Sequence, residues 1–529
     1  MPSHRPVAPA DAETSPRAGG PSSQEVPGRI PPESATALRW LAWALVAGAV
    51  LALGTRFLEP GLRVYILDEP QLQDAAVASA HSSSWATISA VRGTQGLRYG
   101  PSALWFYGLV HRVAGPRPEV GLTAAGLFLT LAFVCLAWTL SRRSEAPPWT
   151  LAAGLWITAA SPFAFFWARM GWDNPLLAGF AALAVAVLAR PSAPSLGWCA
   201  VLGALLGLAL GTHLLAVPFA AAVLWIVATD EEGRADRARR TAVTALVAGG
   251  VLLPYLLALQ REGSRVTTGG ATAASATGWI SLHLGAALEA FIAPVRQVGG
   301  LGIGYFFDQD WPRFARESAF GASLPLFGTC AAIVVGATAL LGLIIGRRSP
   351  VPALRRVARL GLWTWGAQAA FLGALAIPPH PHYQQPVVWV PLAGCALAVA
   401  RVWPQRPALA MATALLAAAA GGWGVGLQRA WMAWIAENGG TRGIHYGVPI
   451  ALQRRALHEA CSVEAPLVAL QTELTIFPQS LASLARTEPA CQGRRVAVCG
   501  PVCPALPAAW SLARLRYADA TSARLGPVR

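Results

Sequence analysis

Four short stretches of this 529-residue chain hold side chains able to move a proton or hold an anion. "RVYILDEPQLQDA" carries Asp68 and Glu69 as an adjacent acidic pair, and "SPFAFFWARMGWDNPLLAGF" sets Arg169 and Asp173 between two apolar runs. "RYGPSALWFY" brings Arg98 and Tyr99, and "AIPPHPHYQQPVVWVP" brings His380, His382 and Tyr383 among five prolines. A carboxylate can act as a general base or ligate a cation, whereas arginine, histidine and tyrosine can donate to phosphate oxygens. Each stretch also has a plainer reading. The acidic pair could be the solvated start of a loop, and the histidine-tyrosine stretch a rigid connection. Asp173 could be the N-cap of a helix opening at Asn174 and Pro175, since proline suits a first helical turn. "FFDQDWPRFARE" adds Asp308, Asp310, Arg313 and Arg316 beside aromatic rings, a surface patch that could receive an acceptor.

The rest of the chain must position these residues, and it is built for a bilayer. It is 54% hydrophobic and only 13% charged, about half the charge of an average soluble domain. That excludes a nucleic-acid-binding protein despite the net charge of +15, and equally a disordered chain or an ordinary soluble enzyme. Residues 1–35 read as a disordered cytoplasmic tail. Apolar runs follow at 36–57, 120–141, 149–168, 174–190, 196–212, 213–229, 241–259, 323–346, 359–377, 386–401 and 407–425. Read as spans, these predict an all-α polytopic membrane protein with about eleven crossings. All 41 basic residues are arginine, and with the N-terminus inside, the arginines at 142–143, 190, 234–240, 347–359 and 401–406 fall in inner connections. Pro101 to Val113 is too short to cross and reads as an amphipathic surface helix with Trp105, Phe106 and Tyr107 at the interface. Within the polar stretch 261–321, residues 283–306 are apolar enough to touch the membrane, but Glu289 and Arg296 argue against a span.

The expected outer regions are then 58–119, 169–174, 261–321, 378–385 and a C-terminal extracytoplasmic domain at 426–529. That domain holds Cys461, Cys491, Cys499 and Cys503. An even, clustered set of cysteines in a polar segment suggests disulfides of an oxidising compartment. Free thiols and a metal site are the alternatives, although spacings of 30, 8 and 4 suit no tight zinc knuckle.

Outward carboxylates, outward cations and a surface helix fit a reaction on a lipid with a charged head, such as a sugar on a polyprenyl phosphate. Asp68 would take the proton of an acceptor hydroxyl, and Arg169 or His382 would stabilise charge on the leaving phosphate. A single displacement needs no covalent nucleophile. The sequence resembles the polytopic GT-C-fold glycosyltransferases that use lipid-linked sugars. Within them it is similar to the branch of protein O-mannosyltransferases and the lipid A aminoarabinose transferase (glycosyltransferase family 39-like). The resemblance covers roughly residues 38–400 and rests on four elements. These are "LDE" after the first span, "YGPSALWFYGL", the Ser161–Pro162–Arg169–Asp173 pattern, and "PHYQQPVVWVP". It implies catalytic roles for Asp68, Glu69 and Asp173, and contacts to the donor phosphate from Arg98, Arg169, His213, His380, His382 and Tyr383. His213 stands where relatives commonly have lysine, and Gly100–Pro101 where they usually have paired prolines. The resemblance fixes no cofactor and leaves metal dependence open: Asp68 and Glu69 could hold a divalent cation with phosphate. The expected partners are a polyprenyl-phosphate sugar donor, the bilayer of the inner membrane, and an acceptor glycan, lipid or protein. A transporter or lipid flippase is the alternative, and would instead place charges at mid-span with repeated halves.

Overall fold

The structure is a computed structural model that describes residues 32–66, 68–82, 84–89, 91, 98–230, 233–263, 283–375, 380–441, 446–462, 467–472, 477–499, 511–515 and 526–527. The tail at 1–31 and Cys503 lie outside the described residues, as does the side chain of Cys499. The chain divides into two units, Met1–Leu41 and Ala42–Arg529.

Helix α1 (Pro32–Gly54) is followed by α2 (Asp68–His81), α3 (Ser102–Ala114), α4 (Pro118–Ser141), α5 (Pro147–Ala160) and α6 (Pro162–Trp167). Next come α7 (Asn174–Leu188), α8 (Leu196–Thr212), α9 (Val217–Ala228), α10 (Arg234–Gly263) and α11 (Leu284–Val298). After a short turn come α12 (Trp311–Glu317), α13 (Ala319–Gly346), α14 (Pro352–Ala374), α15 (Val390–Val402) and α16 (Pro407–Asn438). Proline sits in the first turn of α4, α5, α6, α7, α9, α12, α14, α15 and α16. There it forfeits no helical hydrogen bond, and its fixed φ sets where each helix starts. Small residues let the helices approach closely. A side chain at Gly342 of α13 would overlap the carbonyl of Gly394 in α15.

The protein is a helical, polytopic membrane protein, but eleven crossings is a miscount. Among the described residues, five helices are long and apolar enough to cross: Ala35–Phe57, Pro118–Ser141, Arg234–Arg261, Ala319–Gly346 and Pro407–Asn438. Pro381–Val387 and Val390–Val402, bent by 41°, would make a sixth if taken as one span. The other apolar runs break or fall short. Ser161 divides one into α5 and α6, the runs at 196–212 and 213–229 form α8 and α9 of only 17 and 12 residues, and α14 carries Arg355, Arg356 and Arg359. Helix α7, with 15 residues, reaches about 22 Å at 1.5 Å per residue, short of a ~30 Å hydrocarbon core. Arg356 is a structural member rather than a topology marker. It is 3% exposed, pairs with Asp230 at 3.1 Å, and donates to the carbonyls of Leu188, Arg190 and Ser192. Thirteen-residue α3 is the expected helix, yet Tyr107 is fully buried and not at an interface.

Helix α16 continues past Gly426 to Asn438, so the C-terminal segment starts later than the composition suggests. It contains α17 (Ile450–Cys461), α18 (Phe477–Ala485), and strands β1 (Leu467–Thr472), β2 (Arg495–Cys499), β3 (Ser511–Leu515) and β4 (Gly526–Pro527). The strands form one sheet in the order β2-β1-β3-β4, parallel except for β4. This sheet is an addition to the all-α expectation. Of the four candidate cysteines, Cys461 and Cys491 form a disulfide that closes a separation of 30 residues and fixes α17 to the turn before β2. Cys461→Ser should lower stability by about 3 kcal/mol. In thermal melts of the detergent-solubilised protein, the variant should melt below wild type, and reductant should lower the melt of wild type alone. Equal melts of variant and wild type would count against it.

Candidate functional site

The residues around Asp68 are held from three directions. Glu69, the second residue of α2, is fully buried, and both its oxygens accept backbone N–H groups: Gly171 at 2.6 Å and Ile66 at 3.0 Å. Gln73, one turn later, donates to the carbonyl of Gly171 at 2.9 Å. Tyr107 of α3 donates to the carbonyl of Trp172 at 2.6 Å. Burial, with the charge of Asp68 adding to it, pushes the Glu69 carboxyl up to about 8 against the pull of its two N–H donors. With both oxygens taken, Glu69 positions the 169–173 turn and does not face a cleft.

Arg169 also departs from expectation. It is 2% exposed, and its guanidinium donates to the carbonyls of Arg56 at 2.9 Å, Leu58 at 2.8 Å and Glu59 at 2.8 Å. A guanidinium engaged this way fastens the turn after α1 and is not presented to a phosphate.

Asp173 precedes α7 but does not cap it. Its backbone is helical at φ −73 and ψ −26 instead of extended, and its side chain makes no capping bond. The carboxyl instead lines a narrow cleft with Asp68, Ser89, Tyr99, Trp172 and Thr212. Burial, reinforced by the charge of Asp68, pushes Asp173 up to about 7. Burial also raises Asp68 above the usual carboxylate range. Neither has an ion-pair partner among the described residues. Tyr99 reaches this cleft because Gly100 lies directly on Gly211 at the end of α8, where any side chain would overlap the Gly211 carbonyl. The gap left by a missing second proline is thus filled by a glycine contact.

His213 lies behind Tyr99, the two rings 4.3 Å apart. Its Nδ1 accepts from Leu215 N–H at 3.1 Å, and burial lowers its pKa to about 4. It is a neutral ring, not the cation a lysine would be. From it a row of rings continues through Tyr383 at 6.5 Å, His382 at 4.1 Å from Tyr383, and His380 stacked 5.6 Å from His382. Trp172 lies 6.0 Å from His382, so the row touches the carboxylate cleft. At its other end His380 opens into a second cleft of about 330 Å³, lined by Arg296, Gln297, Tyr305 and Glu289. Arg296 is exposed. Gln297 and Gln368 hold the row by donating to the carbonyls of Pro381 at 3.0 Å and Tyr383 at 2.9 Å.

The structure therefore gathers Asp68, Asp173, Tyr99, His213, His380, His382 and Tyr383, and turns Glu69 and Arg169 inward. Arg98 is half-exposed, and its carbonyl accepts from Tyr255 at 2.7 Å. Asp308, Asp310, Arg313 and Arg316 line neither cleft, and Arg313 pairs with Glu317 at 2.8 Å. Sequence reasoning missed Arg296, Tyr305 and Trp172 as site residues. The charge of Arg296 in an apolar stretch was the available signal. Among the described residues, no group of three or more His, Cys, Asp or Glu side chains is placed to hold a metal.

The C-terminal segment completes the support. Tyr65, Ser483 and Asp74 form a chain of bonds at 2.6 and 2.7 Å, and Arg486 pairs with Asp74 at 3.0 Å. Arg454 grips the carboxylate of Glu119 with two donors and reaches Glu488 at 3.4 Å. Residues 62–74, which carry Asp68, are therefore clasped by α17 and α18.

No protein-family model matches the chain, and no curated protein matches it. Among solved structures it is similar to ArnT from Cupriavidus metallidurans bound to undecaprenyl phosphate. The identity is 16% and the TM-score 0.49, over 87% of this chain and 89% of that one. It is also similar to the arabinofuranosyltransferase AftD from Mycobacteria, at 15% identity and a TM-score of 0.45. That match covers 87% of this chain and 32% of AftD.

Proposed function

We propose that this chain is a GT-C-type membrane glycosyltransferase that moves a sugar from a polyprenyl-phosphate carrier to an acceptor hydroxyl at the membrane surface. The observation that carries the reading is the pairing of Asp68 and Asp173 in one cleft, both raised by burial and neither neutralised by a cation. A carboxylate pair with separated environments is what general acid–base work requires. Asp68, at the start of α2, is the base that takes the acceptor proton as its oxygen bonds to the anomeric carbon. The bond from that carbon to the carrier phosphate breaks in the same displacement. Asp173 holds a proton near neutrality and donates a hydrogen bond within the cleft. Arg296 and His380, in the neighbouring cleft, are the groups best exposed to hold the leaving phosphate. The N-terminus lies on the cytoplasmic side in this reading, and the cleft on the other.

The purified protein, given a polyprenyl-phosphate sugar and a pool of glycan, lipid and peptide acceptors, should release the polyprenyl phosphate in step with sugar transfer. No release with any donor–acceptor pair would overturn the proposal. The rate should follow a bell in pH. It climbs as Asp68 ionises, on a limb displaced above the ordinary ~3.9 of an aspartate. It falls as Asp173 loses its proton through about 7. The two limbs belong to the pair, because the groups share one cleft. Asp173→Asn, which cannot ionise, should remove the alkaline limb. A profile flat from about pH 5 to about pH 9 contradicts these roles.

A further inference from the structure

At one end of α4, sharing no lining residue with either cleft, a third hollow of about 830 Å³ opens between α3, α4 and α17. Its floor is Leu109, Val110, Val113, Ala114, Val120, Ala124 and Leu127, and its rim carries Arg117, Glu119 and Arg454. Polarity here is ordered by depth. Arg117 immediately precedes the span Pro118–Ser141, and Val120, Ala124, Leu127 and Leu131 follow on one helical face. Leu127, ten positions beyond Arg117, lies about 15 Å further along the axis. Val113 is 80% exposed, Leu109 56% and Leu131 56%, so the apolar face is open along this length.

The rim charges are not equivalent. Glu119 and Arg454 neutralise one another, and Arg454 also reaches Glu488. Arg117 is exposed and has no ion pair among the described residues. An apolar trough entering the bilayer, with an exposed guanidinium that feels the charge of Glu119 but closes no ion pair where the span begins, suits a molecule with an acyl chain and an anionic phosphodiester.

We propose that this hollow binds one anionic glycerophospholipid of the surrounding leaflet, its phosphodiester on Arg117 and an acyl chain along Val120, Leu127 and Leu131. The site is separate from the carboxylate cleft and stands whether or not the chain transfers sugar. Because α17 and Glu119 form its wall, a lipid seated there also lies against the contact between the C-terminal segment and α4.

The test is native mass spectrometry of the full chain in non-ionic detergent with equimolar dioleoyl phosphatidylglycerol and dioleoyl phosphatidylcholine. Wild type should retain one phosphatidylglycerol with about fivefold preference, the worth of one interfacial arginine. Arg117→Ala, an exposed position whose side chain caps nothing, should abolish the preference. Val113→Glu should reduce retention of both lipids. Arg142→Ala, at the opposite end of α4, should change neither. Equal retention of the two lipids by wild type, an undiminished preference in Arg117→Ala, or an equal loss in Arg142→Ala would each overturn the proposal.

Discussion

Asp68→Asn is expected to slow sugar transfer by about 10²–10⁴-fold, the range for loss of a positioned general base. The substitution keeps the shape of the side chain and removes only its ability to accept a proton. Asp68 is partly exposed and makes no ion pair among the described residues, so folding should not suffer. Donor KM should change little, because the base acts on the acceptor oxygen. The comparison that decides the matter is with Glu69→Gln. Glu69 accepts two backbone N–H groups, so its amide leaves one donor unpaired and should show mainly as a lower melting temperature. If Asp68→Asn retains full kcat with a lipid-linked sugar while Glu69→Gln loses it at unchanged stability, the two roles are reversed. If both Asp68→Asn and Asp173→Asn retain full activity, the glycosyltransferase reading fails.

The second large effect is expected at Arg169. Truncation to alanine strands the carbonyls of Arg56, Leu58 and Glu59, which now receive three donors from one buried guanidinium. Loss of charged hydrogen bonds with their acceptors left unpaired should cost roughly 3–5 kcal/mol. Lysine should rescue only part, since a single ammonium cannot reproduce the planar fork across three carbonyls. Thermal unfolding of the solubilised variants measures this directly. An Arg169→Ala protein that melts like wild type but needs far more donor for half-maximal rate would restore the phosphate-binding role.

These two residues illustrate what could be read from the sequence. The acidic and aromatic stretches were visible because charge is scarce among apolar runs, and the fold does bring Asp68, Asp173 and the histidine row together. The direction in which each side chain points was not visible. Arg169 and Asp173 are four positions apart on one turn, yet one faces three carbonyls and the other a cleft. Glu69 and Asp68 divide the same way, because adjacent residues at a helix start leave it at different angles. The number of spans was misjudged because hydropathy registers runs of apolar residues and not where they bend. Ser161 interrupts such a run without altering its hydropathy enough to notice. The Cys461–Cys491 disulfide was legible only as a set of four cysteines, since pairing depends on where α17 and the turn at Pro489–Cys491 meet.

The clasp on residues 62–74 has a consequence for the order in which the protein is made. Tyr65 is 418 residues ahead of its partner Ser483. At about 5–20 residues per second, roughly 20–80 s separate the synthesis of the two. During that interval the helices are already entering the bilayer while the segment bearing Asp68 lacks its partners. The nascent chain is therefore an assembled membrane body with an unfinished cleft, and it matures only when α17 and α18 arrive and Cys461 joins Cys491.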